Sequence, residues 1–178
     1  FGGGIAAIPV GLLVLLGLLK APKAGEIGRP LRRCLWMSML LFFAGGFIAL
    51  LISGVNTIIP AHYHGSIVGV TLALMGLAYM LLPRLGYAPV KGRLADFQPW
   101  VYGFGQLLHI SGLAVSGAMG IQRKTAGAAQ GLDSLWAKLA MGVMGLGGLL
   151  AVIGGILFVW IMLRAFMRGR RSPGGASS

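Results

Sequence analysis

Five apolar stretches divide the chain, at roughly 1–19, 35–55, 58–82, 98–121 and 135–163, and most charged residues gather between them. Each is long enough for a helix that crosses a bilayer, which takes about 17–25 residues. Inside hydrocarbon every backbone N–H and C=O must find its partner within the protein, so each stretch is predicted to be an α-helix. The pattern therefore predicts an all-α, polytopic membrane protein with five transmembrane helices over residues 1–171 and a short disordered tail at 172–178. The 31 glycines do not disturb this prediction, because small residues let membrane helices approach closely.

Composition agrees with the pattern. Hydrophobic residues make up 57% of the chain and charged residues 10%, against roughly 25% charged in a soluble domain. A soluble helical bundle does not fit. The net charge of +12 is distributed unevenly. Lys20, Lys23, Arg29, Arg32 and Arg33 follow the first stretch; Arg84, Lys91 and Arg93 follow the third; Arg164, Arg168, Arg170 and Arg171 follow the fifth. Only Arg123, Lys124 and Lys138 fall on the other side. Positive residues mark the cytoplasmic side, so the first group and the C-terminus are expected to be cytoplasmic. The charge is thus a topology signal in short loops and gives no reason to expect a nucleic-acid partner. Lone Cys34 implies no disulfide framework. The chain opens Phe1-Gly2-Gly3-Gly4 directly into the first stretch, with no initiator Met, charged n-region or cleavage pattern. It is expected to be part of a longer or split polypeptide.

The candidate chemistry lies in Ala61-His62-Tyr63-His64, at the start of the third stretch. Residues two apart on an α-helix point about 200° apart, with a rise of about 3 Å. The two imidazoles are therefore predicted to leave opposite sides of one helix. Ionisable groups in hydrocarbon read as functional and need named partners. For two neutral imidazoles facing apart, the natural partners are two separate metal centres. His109 lies mid-span; it can bond a cofactor substituent, line a proton path or satisfy a neighbouring helix. Tyr63, Asn56, Thr57, Ser66 and Thr71 are small polar points near the pair without an assigned role. The methionines, Met75, Met80, Met119, Met141 and Met144 among them, read as packing residues.

The order of these motifs resembles the catalytic subunit I of the heme-copper oxidase superfamily, over its helices eight to twelve. Ile8-Pro9-Val10-Gly11 is similar to the Ile-Pro-Thr-Gly of helix eight, and Gly45-Gly46-Phe47 to the Gly-Gly of helix nine. Ala61-His62-Tyr63-His64 matches the Ala-His-Phe-His of helix ten. Gly120-Ile121-Gln122-Arg123-Lys124 is similar to the Gly-Met-Pro-Arg-Arg loop after helix eleven, and Trp160 with Phe166 to the aromatic end of helix twelve. The resemblance covers the chain except its tail, and His-x-His is its most specific element.

That resemblance implies part of a twelve-helix core with two hemes. His62 would ligate the iron of the high-spin heme, where substrate binds, and His64 the iron of the low-spin heme that supplies electrons. Arg123 would contact heme propionates, as would Lys124, which stands where the family has a second arginine and lacks its planar fork. The copper of the same centre takes histidines of helices six and seven, and the second axial ligand of the low-spin heme comes from helix two. Those residues are not in this chain. The implied partners are the remaining helices of subunit I, other oxidase subunits, a cytochrome c or quinol donor and the lipid bilayer. The implied location is a bacterial inner membrane.

Two departures bear on the reaction. The family pattern continues Ile-Pro-Thr-Gly-Val-Lys, and its Thr and Lys serve a proton route; here those positions are Val10 and Leu13. The His-Asp pair of a non-redox metal aligns with Gly54-Val55, so that site is expected to be missing. The leading expectation is a terminal oxidase reducing O2 to water. A nitric oxide reductase of the same superfamily is the alternative, and a non-catalytic membrane scaffold or transporter half is the reading from a different class.

Overall fold

All five apolar stretches are helical. The computed structural model describes residues 2–125 and 134–169. These form α1 Gly2–Lys20, α2 Gly28–Ala49, α3 Ile58–Arg84, α4 Arg93–Ala118 and α5 Leu135–Met167. The predicted tail at 172–178 lies outside the described residues. Among the described residues three helices, α2, α3 and α5, are long and apolar enough to cross a membrane. In α1 the apolar part that is described, Ile5–Lys20, is shorter. α4 is long enough but dilutes its hydropathy with Arg93, Asp96, Gln98, Gln106 and His109.

The helices begin and end somewhat differently from the apolar stretches. α2 starts at Gly28, so Arg29, Arg32 and Arg33 belong to its first turns. Its Pro30 sits in the first turn, where a missing N–H costs no hydrogen bond. α2 ends at Ala49, and the link to α3 passes through Gly54 at φ +93°, a left-handed conformation that side chains disfavour.

Two antiparallel pairs dominate the packing, α2 with α3 and α4 with α5, and α4 also lies against α2 and α3. Glycine sets the closeness of the first pair. A Cβ on Gly45 would stand 2.5 Å from Ser66 N and 2.8 Å from the His62 carbonyl; one on Gly65 would stand 2.7 Å from Gly45 Cα. Between them the pairs enclose a core of Met37, Leu41, Leu72, Tyr79, Leu82 and Ile110, each all but fully buried. α1 touches little besides α2, with Gly11 seated on the Phe43 ring.

Polar side chains join the helices where the core would otherwise leave backbone or charge unpaired. Arg32 donates to the Leu18 carbonyl at 2.6 Å and the Pro22 carbonyl at 2.7 Å, closing the C-terminal end of α1. The last carbonyls of a helix have no partner within it, and a cation suits that end. Asp96 of α4 is buried between Arg29 and Arg33 of α2, at 3.5 and 3.6 Å, and Arg33 also donates to the Asp96 carbonyl at 2.7 Å. Gln98 is fully buried: its Nε2 donates to the Gly154 carbonyl at 3.2 Å, and its Oε1 accepts from Tyr79 at 3.1 Å. Asp96 and Gln98, two of the polar residues that lower the hydropathy of α4, thus bind its neighbours.

Candidate functional site

The head of α3 is fixed before its histidines begin. Asn56 Oδ1 accepts from Ile58 N at 3.0 Å and so occupies one of the four N–H groups that open a helix without a partner. Thr57 reaches back to the tail of α4: its N–H donates to the Ile121 carbonyl at 3.0 Å and its hydroxyl to the Leu113 carbonyl at 2.9 Å. An isolated antiparallel bridge between Asn56 and Gln122 completes the junction. The loop that carries Arg123 and Lys124 is thereby held at the same end of the bundle as His62 and His64.

His62 turns toward α2. Its Nδ1 lies 2.8 Å from the Gly45 carbonyl oxygen. A carbonyl only accepts, so Nδ1 carries the proton, which in a neutral ring leaves the lone pair on Nε2. That bond fixes the tautomer and the direction of the ring. Gly45 makes the approach possible because any side chain there would meet the backbone of α3.

His64 turns the other way. Its ring lies 5.1 Å from that of His109 on α4, at 76°, and 4.9 Å from that of Tyr63. The sequence spacing thus anticipated the relation between the two histidines: one faces α2, the other α4. His109 is itself anchored, with Nδ1 3.0 Å from the Met144 carbonyl of α5. By the same argument its Nε2 holds the lone pair. α5 is notched to receive it: a Cβ on Gly147 would strike the His109 backbone, and one on Gly148 would stand 3.4 Å from Nδ1. Of the roles open to His109, the bond to a neighbouring helix is present, and the contact with His64 is additional. No sequence rule pairs positions 64 and 109; the signal available was a mid-helix histidine in a chain with only three.

Arg123 is half-buried, and its Nε is buried with no hydrogen-bond partner among the described residues. An orphaned guanidinium nitrogen is costly and suits a carboxylate. Lys124 is exposed and holds a left-handed φ of +62°. Among the described residues no group of three or more His, Cys, Asp or Glu could hold a metal ion. Asn56 and Thr57 hold the α3–α4 junction, and Thr71 donates to the Ile67 carbonyl at 3.1 Å.

An all-helical protein with three helices able to span a membrane and a divergent histidine pair defines the class as far as the fold carries it. No family model matches the chain. It is 39% identical over 154 residues to the uncharacterized protein RP382 of Rickettsia prowazekii, covering 79% of this chain and 30% of that protein. It is 32% identical over 99 residues to an uncharacterized protein of Aquifex aeolicus, covering 56% of this chain and 24% of that one. The chain thus spans less than a third of the length of these curated relatives.

Proposed function

We propose that this chain is the C-terminal part of the heme-bearing catalytic subunit of a respiratory terminal oxidase, reducing O2 to water with electrons from cytochrome c or quinol. In this reading all five helices cross a bacterial inner membrane, with the C-terminus cytoplasmic, as helices eight to twelve of a twelve-helix core. The observation that carries the reading is the split of two imidazoles from one helix. His62 has its Nδ1 tied to the Gly45 carbonyl, and His64 lies against a different neighbour.

The residues present fit the implied cofactors. His62 would hold the high-spin heme iron through Nε2, and His64 the low-spin heme iron. Arg123, with its unpartnered Nε, would hold a propionate; Lys124 would add charge at the surface. When bound, the hemes and the copper supply electrons and a binding place for a diatomic substrate. The chain itself fixes the His62 tautomer and keeps the two imidazoles on one helix only two residues apart. The copper ligands and the second low-spin ligand belong to the remaining helices of subunit I.

One observation favours a nitric oxide reductase as the second reading. Val10 and Leu13 occupy the positions of the proton-conducting Thr and Lys, and residues 5–19 of α1 carry no hydrogen-bonding side chain. A proton wire needs such groups or ordered water, and a nitric oxide reductase need not draw protons from the cytoplasm. Substrate consumption by the intact membrane complex separates the readings. Rapid O2 uptake is the expected result. NO turnover with negligible O2 uptake would replace the oxidase by the reductase, and a complex without heme would remove both.

A further inference from the structure

Lys91, Arg164 and Arg168 line a single cleft of about 50 Å³ at the charged end of the bundle, between the α3–α4 link, the start of α4 and the end of α5. Its apolar wall includes Val90, Leu94 and Ile161. Arg164 lies in the last turn of α5 and Arg168 caps it four residues on, the spacing at which like charges on a helix repel. The chain has only three acidic residues to relieve them. Asp96 is already taken by Arg29 and Arg33. Glu26 belongs to the α1–α2 link, and Asp133 precedes α5 in the sequence, whereas the two arginines end it. Among the described residues none of the three cations has a carboxylate partner.

We infer that this cleft binds the phosphate group of an anionic phospholipid from the surrounding bilayer. A topology signal needs positive charge in a loop; it does not need cations from two separate elements to converge on one cleft. Two guanidinium forks and an ammonium suit a phosphate oxygen cluster. The apolar wall sits at the end of a helix able to span the membrane, where an acyl chain begins. Basic pockets between membrane helices on the cytoplasmic side, beside an anionic leaflet, have this chemistry. The inference depends on the membrane character of the chain and not on its hemes.

The test is native mass spectrometry of the intact complex in detergent, offered equal phosphatidylglycerol and phosphatidylcholine. The wild type is expected to retain phosphatidylglycerol selectively. Arg164→Gln with Arg168→Gln is expected to lose roughly thirtyfold in retention, at about 1 kcal/mol per cation. Lys91→Gln, outside every helix and therefore safe for folding, should lose about fivefold on the same basis. Equal retention of the two lipids, or unchanged selectivity in Lys91→Gln, overturns the inference. Displacement of phosphatidylglycerol by millimolar inorganic phosphate also overturns it, because the site would then take free phosphate.

Discussion

At the scale of residues, His62 and His64 differ in what holds them, and this difference carries the functional reading. Their opposite directions were legible in the sequence because the rotation per residue of a helix is fixed. What the sequence could not give was the partner of each ring. The Gly45 carbonyl and the His109 ring come from other helices, and no local pattern joins positions 17 or 45 residues apart. Arg123 was legible as a cation beside the pair; that its Nε would be buried without a partner was not. This yields an expected outcome. In the proposed reading, Arg123→Ala would remove positive charge beside a heme and so favour its oxidised form. The potential should fall by about tenfold in the reduction equilibrium, or about 59 mV for one electron, with heme content intact. A redox titration that superimposes on the wild type would contradict the propionate role.

At the scale of elements, all five helices were legible, since each apolar run exceeds what a soluble helix of this composition would need. Their ends were less so. α2 takes in Arg29, Arg32 and Arg33 because those side chains reach out to α1 and α4, and charge alone had suggested a loop. α4 was placed as a span on its apolar residues. The structure adds that Asp96 and Gln98 are buried against α2, α3 and α5, so its polarity serves packing. The α2–α3 contact makes the sharpest demand on sequence. Gly45 and Gly65 meet backbone to backbone, and the same contact delivers the carbonyl that orients His62. Gly45→Ala should force the helices apart at an overpacking cost of about 1–3 kcal/mol and loosen His62. The expected readout is a lower thermal midpoint together with a weakened CO-difference signal. A variant with both unchanged would show that the close contact does not position the ring.

At the scale of the whole molecule, the proposed reading has the chain supply one wall of a site whose remaining ligands would come from other helices. Two α-helical pairs are locked at one end by the Asn56–Thr57 junction with the tail of α4, and at the other by Asp96 between two arginines. The histidine pair and Arg123 lie at the first end, and the phosphate-binding cleft we infer lies at the other. The clustering of cations at one end was legible in the sequence, whereas the convergence of Lys91 with Arg164 and Arg168 required the fold. The central claim is that two histidines on one helix serve two different hemes. Its most direct test is the reduced-minus-oxidised spectrum, with and without CO, of the intact complex carrying His62→Ala or His64→Ala. The account predicts that His62→Ala loses the CO-reactive heme while keeping the low-spin bands, and that His64→Ala loses the low-spin bands. Two normal hemes in both variants, or no heme in the wild type, would contradict it.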